Sequence, residues 1–457
     1  MTDTGATTLL NRTFSRLFGG WRGAAARRAL AGALDPSLPD DDAERLRQAM
    51  RDCLEGKGGA VSARARAADL GQAYLSLDET GRWRFLEIVA REFDVDADGV
   101  DRAIARLQDA TGPIARVAAM ADLRACLVPP RVRLLTQFSS LPEGIKFLVE
   151  LRAELLKMAD GDPAMGALEA DLQQILASWF DVGLLELTRI TWDSPAGLLE
   201  RLIAYEAVHE IRSWTDLKNR LDSDRRCFAF FHPGMPEEPL IFVEVALVNG
   251  MADSIQALLD ETAPPIEPDG ADTAIFYSIS NAQRGLDGIS LGDFLIKRVV
   301  DALRQEFPNL KTFATLSPMP GFRRWLDRRL ENGDGDDLLS RENAGVLAAL
   351  LDQPWPDSPE QADELREPLL RLGAHYLIKE KRRGRALDPV ANFHLTNGAR
   401  LEGLNWLADT SAKGLRESAG MMVNYLYKLS AIEGNHEKYS GEGRVAASAR
   451  VKGLLKT

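Results

Sequence analysis

Cysteine is scarce in this chain of 457 residues. The three present, Cys53, Cys126 and Cys227, are widely spaced, with no Cys-x-x-Cys pair and no Cys/His cluster at ligand spacing. That argues against a disulfide framework and a structural zinc site, and a reducing cytoplasm fits best. Long apolar runs are missing too. None approaches the roughly 20 residues that span a bilayer, so no membrane partner is expected. Positive charge is also short, with 56 Lys and Arg against 68 Asp and Glu for a net charge of −12. Without a broad basic surface a general nucleic-acid partner is not expected, although a local basic pocket for a phosphorylated small molecule stays open. Acidic residues are absent from Thr4 to Leu34, where Arg12, Arg16, Arg22, Arg27 and Arg28 stand. A mitochondrial presequence has that texture, but an amphipathic first helix of an Arg- and Ala-rich bacterial chain is the preferred reading, with a cytoplasmic location.

What is there is ordinary for a soluble globular protein: 45% hydrophobic and 27% charged residues. The length is too great for one core and points to two domains. Residues 1–180 read as helices, with apolar positions three and four apart, as in Leu46, Met50, Cys53 and Leu54. Breaks at Pro36 to Pro39, Lys57 to Gly59, Thr111 to Pro113, Val128 to Pro130 and Gly161 to Pro163 predict six to eight helices in a bundle. This part shows no chemical constellation and reads as a scaffold or oligomerisation unit. Residues 181–457 change texture. Strand-like runs at Cys227 to Phe231 and Leu240 to Leu247, joined by a Pro-rich connection, predict a hairpin. Further strands are expected at 274–279, 310–316 and 390–395, with helices between, so the fold class is α+β: a helical bundle followed by an α/β domain. Gly333 to Asp337 reads as a solvated loop tip.

The most informative stretch is 274–326. A β-rich run ends in a loop carrying Gly285, Gly288 and Gly292, and an amphipathic helix with Val299, Val300 and Leu303 follows. A glycine loop meeting a helix N-terminus makes a natural pyrophosphate site. Gly285-x-x-Gly288 completes neither a dinucleotide fingerprint nor a Walker loop, so taken alone it also fits a tight turn. With Gln283, Arg284 and Asp287, the unit resembles the acyl-CoA-binding core of the Gcn5-related acetyltransferase fold. The next strand delivers Ser317 into a turn made by Pro318, Pro320 and Gly321. The other unusual segment, 379–407, joins a basic run to Asp388-Pro389, His394 and the turn signal Asn397-Gly398.

The motifs AVHEIRSWTDLKNRL, RRCFAFFHP, GDFLIKRVV, TLSPMPGF, DPVANFHLTNGA and GMMVNYLY, in this order along the chain, together resemble the malonyl-CoA decarboxylase family across the second half of the chain. The resemblance implies a helical domain used in oligomerisation and a catalytic domain of acetyltransferase-like fold. It implies conversion of malonyl-CoA to acetyl-CoA and carbon dioxide without a metal or organic cofactor, in a homo-oligomer (dimer or tetramer). Carried over by motif, the family's serine falls on Ser317, its histidine on His394 and its tyrosine on Tyr427. The CoA-binding loop falls on Asp287, Gly288, Ile289, Ser290, Leu291, Gly292 and Asp293. Ser290 stands where some relatives carry an acidic residue. Arg284 and the loop amides rank first for the CoA phosphates, ahead of Lys297, Arg298 and the basic run 379–385.

Losing carbon dioxide from a malonyl thioester leaves an enolate that must be stabilised and then protonated at the α-carbon. Donors aimed at such an oxygen are worth roughly 3 to 4 kcal/mol each. An imidazole such as His394, neutral or cationic, is a fitting proton donor near neutral pH. Ser317 would hold the imidazole or the substrate carboxylate, since no nucleophile elbow surrounds it. Asn397 and Tyr427 are expected to orient the substrate. Two rivals are an acyl-CoA N-acyltransferase and a non-catalytic malonyl-CoA sensor, the first of which would not need His394 over the acyl chain.

Overall fold

Proline sets where several helices of the first half begin. Pro113, Pro130 and Pro163 each occupy the first turn of a helix, where a missing N–H costs nothing. The same prolines had marked breaks in the sequence, so each break is also a start. The structure is a computed structural model that describes residues 30, 32–55, 59–158, 161–289, 295–332, 341–351 and 355–456. The Gly333 to Asp337 loop, and Ser290, Leu291, Gly292 and Asp293 of the glycine loop, lie outside the described residues.

Two units partition the chain: Met1–Leu185 with His232–Glu238 and Gln283–Ser290, and Glu186–Phe231 with Pro239–Ala282 and Leu291–Thr457. Eight helices appear among the described residues of the first: α1 (Asp40–Leu54), α2 (Gly59–Ser76), α3 (Glu79–Glu92), α4 (Ala97–Asp109), α5 (Pro113–Cys126), α6 (Pro130–Phe138), α7 (Gly144–Met158) and α8 (Pro163–Trp179). Their core includes Tyr74, packed edge-on to Phe85 and Phe147 at 5.0 and 5.8 Å between ring centroids.

The start of the glycine loop belongs to this helical unit. Gly285 is there for close approach, because a Cβ would lie 1.8 Å from the Val149 carbonyl oxygen of α7. Arg152, also on α7, donates to the carbonyls of Gly285 at 2.6 Å and Asp287 at 2.9 Å. Gln173 of α8 donates to the Gly288 carbonyl at 3.3 Å. Arg284 is exposed.

The second unit is built on an eight-stranded sheet, and only elements that bear on the site are labelled. They are β1 (Glu186–Ile190), α9 (Ala196–Tyr205), α10 (Trp214–Arg220), β2 (Arg225–Phe231), β3 (Ile241–Val248), β4 (Thr273–Asn281), α11 (Leu295–Glu306), β5 (Thr312–Thr315), β6 (Ser317–Pro318), α12 (Pro359–Ile378), α13 (Pro389–Thr396), β7 (Arg400–Asn405), β8 (Met422–Leu426) and α14 (Ile432–Glu442). In space the order runs β1, β2, β3, β4, β5, β8, β6, with β7 also on β8. The expected hairpin is β2 and β3, antiparallel. Both are buried along their whole length, which is why they read as continuous apolar runs rather than alternating ones.

Among the described residues one strand pair is parallel. Thr273 to Phe276 of β4 lie beside Thr312 to Thr315 of β5, joined through α11. Beyond Phe276, β4 continues beside β3 alone, so the two parallel strands part company at that point. Ile275, Tyr277, Leu316 and Met422 pack on one face of the sheet with Ile255 and Leu258. A second cluster joins Leu199 of α9 and Leu217 of α10 to Cys227, Phe231 and Phe242.

The segment 390–395 is not a strand, as the sequence had suggested, but the helix α13. Asp388-Pro389 is an N-cap followed by proline in the first turn, a helix start that had been read as a turn. Eight helical residues lie between two caps, too short a stretch for a periodic signal.

A buried cation supports the sheet where β3 and β4 shift register at Glu244 and Val245. Arg220 donates to Glu244 at 3.1 Å and to Asp216 at 2.8 Å, and all three side chains are buried. Removing one partner of such a cluster strands buried charge at a cost of about 3 to 5 kcal/mol. Arg220→Ala is therefore expected to lower unfolding free energy by about that amount in urea titration. A loss below about 1 kcal/mol would show that the cluster does not hold the sheet.

Candidate active site

Ser317 reaches its position through an interrupted strand. β5 ends at Thr315, the Leu316 N–H still donates to the Phe276 carbonyl at 3.0 Å, and Ser317 and Pro318 then pair with Val423 and Met422 of β8. The Thr315 carbonyl is taken by Asn424 Nδ2 at 2.9 Å. The irregularity brings two hydroxyls of alternate residues together: Ser317 Oγ donates to Thr315 Oγ1 at 2.9 Å. The site thus lies where β4 and β5 diverge.

His394 comes from α13, and both ends of that helix are fixed. Asp388 Oδ1 accepts from the N–H groups of Val390 at 3.0 Å and Ala391 at 2.9 Å, satisfying donors that a helix start leaves free. At the other end the Ala399 N–H reaches back to the His394 carbonyl and the Gly398 N–H to that of Leu395, a Schellman closure. Gly398 sits at φ +76°, and a Cβ there would lie 2.2 Å from the Ile432 carbonyl oxygen of α14. Asn397-Gly398, read as a tight turn, is this cap.

The imidazole is held on three sides. Nε2 lies 3.0 Å from Ser317 Oγ, Nδ1 lies 2.8 Å from the Tyr427 hydroxyl, and the ring stacks on Tyr425 with centroids 4.5 Å apart. With the Ser317 proton directed at Thr315, Ser317 Oγ accepts from Nε2–H, and Nδ1 accepts from the Tyr427 hydroxyl. The network thereby selects one tautomer. His394 is 2% exposed, and burial pushes its pKa down to about 3. The resting ring is uncharged at neutral pH. Burial likewise pushes the phenols of Tyr425 and Tyr427 well up, so both remain protonated.

Of the sequence-derived site residues, Ser317, His394 and Tyr427 come together directly. Asn397 stands apart from the imidazole. Its Nδ2 donates to the Phe393 carbonyl at 2.9 Å, and it lines a cavity of about 400 Å³ with Tyr427, Ile296, Lys297, Val300 and Leu429. Lys297 therefore faces this cavity, whereas the Arg298 guanidinium lies over the Phe230 ring at 5.2 Å. Of the basic run, Lys381 and Arg385 lie against the Tyr439 ring. Thr315 and Tyr425 were missed. The signal for both was spacing, since each stands two residues from a residue already named, on the same side of its strand.

The candidate site is thus a buried Ser–His couple beside a parallel pair that diverges. Comparison with known proteins makes this specific. Residues 183–457 match the malonyl-CoA decarboxylase C-terminal domain, and residues 93–180 the N-terminal domain of the same family. The mitochondrial malonyl-CoA decarboxylase of Mus musculus is 37% identical over 464 residues, covering 95% of this chain and 92% of its own length. Solved structures of malonyl-CoA decarboxylase from Rhodopseudomonas palustris and Agrobacterium vitis are 42% and 43% identical, with TM-scores of 0.85 and 0.84. They cover 91% and 90% of this chain, and 99% of each solved chain is matched. The chain belongs to the malonyl-CoA decarboxylase family, and it is an enzyme.

The buried neutral imidazole has a measurable consequence. The unfolded chain titrates its histidine near the ordinary 6.5, the folded chain only near 3. Between those values the unfolded state binds the extra proton, so stability is full above about pH 6.5 and falls as pH drops toward 3. His394→Gln should flatten this component, seen as a smaller stability difference between pH 7 and pH 4.5 in urea unfolding. An unchanged pH slope would place the histidine in a wetter setting than the structure shows.

Proposed function

We propose that the chain decarboxylates malonyl-CoA through a thioester enolate that His394 protonates. The observation that carries this reading is the buried contact between Ser317 Oγ and His394 Nε2 at 3.0 Å, at the divergence of β4 and β5. The carbon–carbon bond to the carboxylate breaks, its electron pair stays on the α-carbon as the enolate, and carbon dioxide leaves. The α-carbon then takes one proton, so each turnover consumes one proton from solvent.

Because the resting ring is neutral, the arriving malonyl carboxylate is what draws charge onto it. A negative group beside an imidazole in a dry site favours the imidazolium. The acid thus forms when substrate is present, with Nε2–H facing the reacting side and Ser317 as its hydrogen-bond partner there. Tyr427 and the Tyr425 ring hold the imidazole plane. The reading takes acetyl-CoA and carbon dioxide as products, calls on no metal or organic cofactor, and has copies of the chain associated through the helical unit. Cys53 and Cys227, free and buried, are compatible with a reducing setting.

The test is release of carbon dioxide and acetyl-CoA from malonyl-CoA by the purified protein, beside His394→Ala and Ser317→Ala. Loss of an acid–base group removes about 10² to 10⁴ in rate. A fall of that size in kcat for both variants, with acetyl-CoA still bound, is expected. Turnover that survives loss of His394 would overturn the proton-donor role. A wild type that binds malonyl-CoA without turning it over would overturn the function.

A further inference from the structure

Asp388 has a second carboxyl oxygen that capping α13 does not use. While Oδ1 starts that helix, Oδ2 accepts from the Tyr376 hydroxyl of α12 at 3.2 Å and, at a longer 3.5 Å, from the Gly321 N–H. Gly321 ends the turn that leaves Ser317, four residues earlier, and Asp388 stands six residues before His394. The contact with Tyr376 is tight. A Cβ on Gly321 would lie 2.4 Å from the Tyr376 hydroxyl and 3.7 Å from Asp388 Oδ2. Asp388 and Tyr376 are both fully buried, at 0% and 1% exposure.

We infer that Asp388 is a positioning residue for the reaction, a two-ended tie that sets the separation of Ser317 from His394. Its two oxygens face four donors, and each end serves a different catalytic segment. One end fixes the start of the helix that carries the imidazole. The other, with Tyr376, fixes the exit of the segment that carries the hydroxyl. Neither end touches the reacting atoms.

The two ends can be separated chemically. In Asp388→Asn the amide oxygen can still cap α13, but the NH2 group that replaces the other oxygen faces the Gly321 N–H donor to donor and can meet the Tyr376 hydroxyl only with that bond reversed. Tyr376→Phe removes the tie from the other side and leaves the cap intact. Displacement of reacting groups by about 1 Å can lower a rate about 100-fold. Both variants should therefore keep the wild-type thermal midpoint within a few degrees, keep acetyl-CoA affinity and KM within about threefold, and lose about 10- to 100-fold in kcat. Asp388→Ala, which also loses the cap, should lower the midpoint as well. Wild-type kcat in both Asp388→Asn and Tyr376→Phe would overturn the inference and leave Asp388 as a helix cap.

The inference rests on the decarboxylase reading, and a structural readout keeps the two apart. Crystal structures of Asp388→Asn and Tyr376→Phe should show the Ser317 to His394 contact lengthened beyond hydrogen-bond reach. If that contact stays at 3.0 Å, the tie is wrong whatever the activity. If the contact lengthens but the wild type makes no acetyl-CoA, the tie stands and the decarboxylase reading falls.

Discussion

A single uncharged imidazole, dry and held on three sides, is the constraint on which the rest of this site depends. His394 has a hydroxyl at each nitrogen and an aromatic ring against its face. Such an arrangement is possible only because three backbone segments arrive with fixed direction: the broken strand bearing Ser317, the doubly capped helix bearing His394, and the end of β8 bearing Tyr425 and Tyr427. Burial makes an imidazolium costly, and on the proposed mechanism this withholds the acid until a carboxylate enters. The same burial keeps water from the ring, which in the proposed mechanism protects the enolate.

The sheet supplies the divergence at which the Ser317–His394 contact sits. In the proposed function that divergence is the place for the acyl chain. Here the closed part ends at Phe276 and Thr315, and the interruption at Leu316 turns the next residues toward β8. Asn424 takes the carbonyl freed by that interruption. The irregular backbone is thereby hydrogen-bonded internally and can be buried.

Much of this was legible from residue order. The β2–β3 hairpin, the strand before the glycine loop, the helix after it and the strand ending near Ser317 each carried periodicity or β-rich composition over enough residues to declare themselves. Ser317, His394 and Tyr427 were named through motif resemblance, and they converge. Short elements were not legible. α13 has eight residues and little amphipathic signal, so its apolar content read as a strand, and its true signature lay in the caps. Gly285 was read as part of an anion loop, but its backbone lies against Val149, a close approach that no local pattern announces. Asp388 looked like a turn residue because a sequence shows one role for a side chain, whereas its second oxygen works across 67 residues of chain.

The most direct test of the central claim is the protonation state of His394, read by nitrogen NMR of histidine-labelled protein with and without a non-reactive malonyl-CoA analogue. The account predicts a neutral ring with a single N–H in the free enzyme throughout pH 5 to 8, and a shift toward imidazolium when the analogue binds. A ring that titrates near its ordinary 6.5 in the free enzyme, or that stays neutral with the analogue bound, would contradict it.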